Sequence, residues 1–144
     1  MQNIIYIATV ALLIKISIID IKQKIIPDRL NMIVTLLGIF NLILNFQNCK
    51  TYIASAAITF AVFIFLTVIT DGSIGGGDVK LFTALALIFG AEVLLIIAGT
   101  FTLAAVISMM KILTKKTGLK ESIALAPYIC AGTVLYMTML SIAF

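Results

Sequence analysis

Apolar stretches of membrane-crossing length follow one another through this chain up to Phe144, broken only by short polar segments. Hydrophobic residues make up 62% of its 144 positions and charged residues 11%, against about 45–50% and about 25% in soluble domains. A water-soluble fold of this size has too little interior for that much apolar surface, so lipid must cover the rest. A cleavable leader ahead of a soluble domain does not fit, because the apolar stretches continue to the C-terminus. The net charge of +4 does not indicate nucleic acid: the lysines sit at the ends of apolar spans and form no stripe. A single transmembrane domain over residues 1–144 is expected, since no linker or internal repeat interrupts the chain.

A helix needs about 20 mostly apolar residues to cross the hydrocarbon. On that measure span 1 covers roughly Asn3 to Ile19, and a polar segment, Asp20 to Arg29, follows it. Span 2 covers Leu30 to Phe46, a turn Gln47 to Thr51, and span 3 Tyr52 to Thr70. The glycine-rich segment Asp71 to Asp78 breaks the pattern. Val79 to Leu113 divides at Gly90-Ala91-Glu92 into two spans, Val79–Phe89 and Glu92–Leu113; a single long tilted helix is the alternative. A loop, Lys115 to Lys120, precedes the last span, Ser122 to Phe144. The expected fold is therefore an all-α integral membrane protein, a six-helix transmembrane bundle. Lys22, Lys24, Arg29, Lys80, Lys111, Lys115, Lys116 and Lys120 then collect on one side and Lys50 on the other, with Lys15 in span 1 snorkelling to the first side. The excess marks that first side as cytoplasmic and puts both termini on the other.

Histidine is absent, which excludes a Ser-His-Asp triad, a Cys-His pair and a His-Glu-x-x-His zinc site. Cys49 and Cys130 are isolated and form no metal or redox pair. The carboxylates are Asp20, Asp28, Asp71, Asp78, Glu92 and Glu121. Ionisable groups near membrane depth are costly and call for a reason. Asp20, Asp28, Asp71 and Asp78 fall on two loops of one face. Two aspartates brought close share a proton: one draws a proton from water while the other hydrogen-bonds the scissile carbonyl. That chemistry needs neither metal nor cofactor. Asp20 closes span 1 and Asp78 opens span 4 after Gly75-Gly76-Gly77, whose bare backbone permits close approach of an extended substrate. Plainer readings stand beside this one. Asp78 serves equally as a helix cap, Asp20 as an interfacial residue, Asp28 after Pro27 as a first-turn residue, and Asp71 and Glu92 as loop residues.

These residues carry a resemblance. Gly75-Gly76-Gly77-Asp78 fits the GxGD pattern of aspartyl membrane proteases, and Ile74 to Leu81 resembles the prepilin peptidase version. Asp20 to Leu30, with Pro27-Asp28, is similar to that family's first aspartate motif, and Ala126-Pro127-Tyr128 with Ala131-Gly132 to its last-span signature. The resemblance implies catalytic roles for Asp20 and Asp78, and substrate positioning by Gly75, Gly76, Gly77, Lys80 and Pro127. It implies removal of a short basic leader from type IV pilin-like or pseudopilin precursors, at the cytoplasmic face of a bacterial or archaeal cell membrane. Many members carry a cytoplasmic Cys-pair region and a methyltransferase activity; here the chain starts at span 1 without a Cys pair, so a peptidase-only form is expected. Two rivals remain: a Ser108/Lys111 peptidase, and a non-catalytic transporter or pilus assembly scaffold.

Overall fold

The computed structural model describes residues 2–70, 74–113 and 124–143. Asp71, Lys115, Lys116, Lys120 and Glu121 lie outside the described residues. Among the described residues there is no strand, and six helices form: α1 (Gln2–Gln23), α2 (Asp28–Leu44), α3 (Cys49–Ile69), α4 (Gly76–Phe89), α5 (Val93–Leu113) and α6 (Ala126–Ala143). Single 3-10 turns, Phe46–Asn48 and Gly90–Glu92, make the connections before α3 and α5. The stretches Gln2–Gln23, Phe46–Ile69 and Gly76–Met110 are long and apolar enough to cross a bilayer, and α6 contributes a shorter apolar helix. Much of this apolar surface faces outward: Ile58, Phe60, Val62, Phe65 and Val68 of α3 are all exposed. In water such a surface would drive aggregation; in lipid it is the solvated one.

The bundle is built around α4. Val79, Leu81, Phe82, Ala84, Leu85, Ala86, Ile88 and Phe89 are all buried. Ring contacts fix the directions of its neighbours. Phe82 stacks on Phe63 of α3 at 4.7 Å and on Phe101 of α5 at 6.2 Å. A continuous helix rising 1.5 Å per residue would separate Phe82 from Phe101 by about 28 Å. The chain therefore reverses between α4 and α5, as the two-span reading expects, and not as one long helix. Gly90 makes the reversal with φ 61° and ψ −135°, a conformation that side chains avoid. A Cβ there would also stand 3.1 Å from the Tyr52 ring. At this same end Phe89 meets Tyr6 of α1 (4.9 Å) and Tyr136 of α6 (5.7 Å). Successive helices alternate in direction, so the α1–α2, α3–α4 and α5–α6 connections share the opposite end.

α2 runs parallel to α4 and is bonded to it at both ends. The buried Asn31 amide donates to the Gly77 carbonyl at 3.0 Å. The fully buried Asn41 amide donates to the carbonyls of Leu87 (3.3 Å) and Ile88 (3.1 Å), and its own oxygen accepts from Asn45 at 3.0 Å. Asn41 thus supplies donors to carbonyls of the last turn of α4, which lack partners within the helix. Other buried hydroxyls are satisfied within their own helices, as in Thr9 to Ile5, Ser17 to Leu13 and Thr100 to Ile96. Replacing Asn41→Leu strands these carbonyls, while the Asn45 amide keeps its bond to the Asn41 backbone carbonyl at 3.1 Å. The unfolding free energy in detergent should fall by about 1–3 kcal/mol, the cost of leaving buried polar groups unpaired.

Candidate active site

Asp20 sits one turn before the end of α1, because the helix continues past the predicted span boundary at Ile19 to Gln23. Lys24 closes the helix in the left-handed region, φ 53°, and its N–H donates to the Asp20 carbonyl at 2.8 Å. Pro27 is extended, and its carbonyl accepts from Leu30 and Asn31 to open α2. The Asp20 side chain is 5% exposed. Its Oδ2 accepts the backbone N–H of Ala126 at 2.9 Å. Ala126 is the first residue of α6, so the carboxyl group sits at the positive end of that helix and takes up one of its free donors. Pro127, half-buried, occupies the first turn, where a missing N–H costs nothing.

Asp78 is the third residue of α4. The Gly75 carbonyl starts the helix by accepting from Asp78 (3.0 Å) and Val79 (3.3 Å), and the Gly75 N–H donates back to the Asp78 carboxyl group. Gly75, not Asp78, is thus the N-cap, and Asp78 supplies only the carboxylate half of a capping box from the third helical position. This role does not use up the side chain: Oδ1 is buried and has no hydrogen-bond partner among the described residues. Ile26, on the connection after Asp20, lies against Gly77, the neighbour of Asp78, so carboxyl groups from α1 and α4 stand at one end of the bundle. α6 anchors one of them, and the other keeps a free oxygen.

The three glycines differ from one another. Gly75 and Gly76 are exposed, and a Cβ on Gly76 would meet nothing within 4 Å. A Cβ on Gly77 would stand 2.9 Å from the Cβ of Ile26, a buried residue just before Pro27. The connection after Asp20 thus lies directly on the turn that carries Asp78, and only a bare backbone allows it. Lys80 points to the surface and pairs with Asp28, Nζ to Oδ1 2.8 Å, both side chains well exposed. Asp28 thereby belongs to an α2–α4 surface tether of small energetic weight, apart from the Asp20–Asp78 pair. Glu92 lies on the reversal at the far end of α4. Ser108 donates its hydroxyl to the Ala104 carbonyl of its own helix. The sequence reading passes over Asn31 and the Ala126 N–H. A polar amide inside an apolar span is a signal for the first; nothing local signals the second.

Two carboxyl groups at one end of an apolar helical bundle define a membrane protein equipped for acid–base chemistry. The comparison of sequences gives it a family. The type IV leader peptidase family matches residues 7–111, and the chain belongs to that family. Over 123 residues it is 36% identical to the prepilin peptidase EppA of Methanocaldococcus jannaschii, covering 78% of this chain and 34% of that protein. Over 131 residues it is 29% identical to the prepilin leader peptidase/N-methyltransferase of Bacillus subtilis, covering 88% and 52%. The chain thus spans about a third and about half of these curated relatives. No solved structure matches it.

Substitution separates the glycines. Gly77→Ala should destabilise the protein by about 1–3 kcal/mol through overpacking against Ile26, while Gly76→Ala should leave the unfolding midpoint within error. Thermal unfolding of the two variants in detergent makes the comparison.

Proposed function

We propose that the protein is a membrane-embedded aspartic endopeptidase that removes the short leader of type IV pilin-like precursors, with Asp20 and Asp78 as its catalytic pair. The observation that carries this reading is the packing of the connection that follows Asp20 onto the first turn of α4, Ile26 against Gly77, which puts Asp20 and Asp78 at one end of the bundle in a member of the leader peptidase family. Like charges in one site resist ionising together, so the pair holds one proton between them. The carboxylate takes a proton from water as its oxygen attacks the scissile carbonyl carbon. The carboxylic acid protonates the carbonyl oxygen, giving a tetrahedral diol. The diol collapses with proton transfer to the amide nitrogen, the C–N bond breaks, and the pair returns to its one-proton state. The exposed Gly75-Gly76 backbone beside Asp78 gives an extended substrate segment a place to lie, and positioning by Gly77, Lys80 and Pro127 is part of the proposal. The proposal covers peptide hydrolysis and does not extend to methyl transfer.

In this reading all six helices cross the bilayer, both termini face outward, and the catalytic end faces the cytoplasm. Exposed Lys22, Lys24, Arg29 and Lys80 at that end, against Lys50 at the other, support the orientation. The alternation of helix directions supports the span count. α4, only about 21 Å long at 14 residues, is shielded from lipid by its neighbours.

Cleavage of a pilin-like precursor, followed as a size shift on co-expression, tests the assignment. Asp20→Asn and Asp78→Asn should each lower the rate by roughly a hundredfold to ten-thousandfold, the usual worth of a positioned proton-transfer group. Asp28→Ala should retain most activity, since its partner is Lys80. Cleavage that survives loss of either pair member removes that residue from the site. A wild type that cuts nothing in a panel of precursors favours a transporter or scaffold. In vitro the rate should follow a bell against pH, lost in acid when both carboxyls hold protons and in base when neither does.

A further inference from the structure

Asn31 is 3% exposed, and its amide reaches from α2 to the Gly77 carbonyl at 3.0 Å. Two features set this bond apart from the Asn41 bonds at the other end of the same helix pair. The first is that Gly77 does not need it. Its carbonyl lies in the first turn of α4, where the N–H four residues on is the regular partner. The second is that the Asn31 Oδ1 is buried with no partner among the described residues, whereas the Asn41 oxygen accepts from Asn45. A buried acceptor left unpaired costs at least as much as the accompanying bond contributes. For stability alone, leucine would serve this position as well or better.

The bond is placed where position matters. It holds the peptide joining Gly77 to Asp78, from a helix that begins right after the Asp20 connection. The Asp78 Oδ1, on the same turn of α4, is the other buried oxygen without a partner among the described residues. We propose that Asn31 is a positioning residue for the catalytic pair. Its amide fixes the first turn of α4 and, with it, the placement of the Asp78 carboxyl group. The inference rests on the catalytic pair proposed above.

The test uses the full-length protein in detergent or vesicles and a precursor that the wild type cuts, with kcat, KM and the unfolding midpoint measured together. In Asn31→Leu the midpoint should hold or rise while kcat falls roughly tenfold to a hundredfold, the scale of a misplaced catalytic group, with KM little changed. Asn41→Leu is the control: its midpoint should fall, and kcat of the folded protein should stay near wild type. Should leucine overpack the site, Asn31→Ala carries the same kinetic prediction. A wild-type kcat in the Asn31 variants overturns the proposal, as does a fall in cleavage that merely tracks a fall in stability. If Asp78→Asn still cuts, or no precursor is cut by the wild type, the catalytic pair falls and this inference with it. If Asp78→Asn is dead and Asn31→Leu is not, only this inference falls.

Discussion

The architecture depends on finishing the hydrogen bonds of a short buried helix. α4 is enclosed on nearly every side and too short to carry both of its ends to water. Away from water, unpaired backbone groups are expensive. Its last carbonyls receive the Asn41 amide, and its first turn is closed on itself by Gly75 and Asp78. The reversal at Gly90 then lets α5 return along it, so that Phe63, Phe82 and Phe101 form one aromatic layer across three helices. α2 also holds the first turn of α4, where Asp78 sits, through the Asn31 amide on the Gly77 carbonyl.

The same economy of helix ends builds the candidate site. Asp20 stands near the C-terminal end of α1 and completes the N-terminus of α6 through Ala126; Asp78 completes the N-terminus of α4. Each carboxyl group thus earns part of its place structurally, which is how two acids tolerate burial at the edge of an apolar bundle. Neither is consumed by that role. Asp78 retains an oxygen with no partner among the described residues. Capping is compatible with the proposed catalytic role because a carboxylate has two oxygens and a cap engages one.

Much of this was legible in the sequence. Apolar runs and their glycine, proline and lysine interruptions located the helices to within a few residues, because span length and helix breaking are local properties. The lack of histidine limited hydrolytic chemistry to carboxylates or a Ser/Lys pair, and the resemblance of two segments to aspartyl protease motifs made Asp20 and Asp78 the candidates. Helix ends were less legible: α1 runs a turn further than hydropathy suggests, since a helix can extend into a polar segment once its carbonyls find partners, as Lys24 provides for Asp20.

Tertiary structure decided which polar groups meet. These helices are apolar all round, so hydropathy does not tell which face turns inward; helix rotation and crossing settle that. Only the fold separates Asp28, paired at the surface with Lys80, from Asp20, buried against the start of α6. Only the fold distinguishes Gly77, pressed against Ile26, from Gly76, which is open. And only the fold brings Asn31 to the carbonyl beside Asp78. The sequence determined a membrane bundle and its two acids because burial in lipid and the cost of charge act residue by residue. The site itself is a set of contacts between distant segments, and those follow from packing.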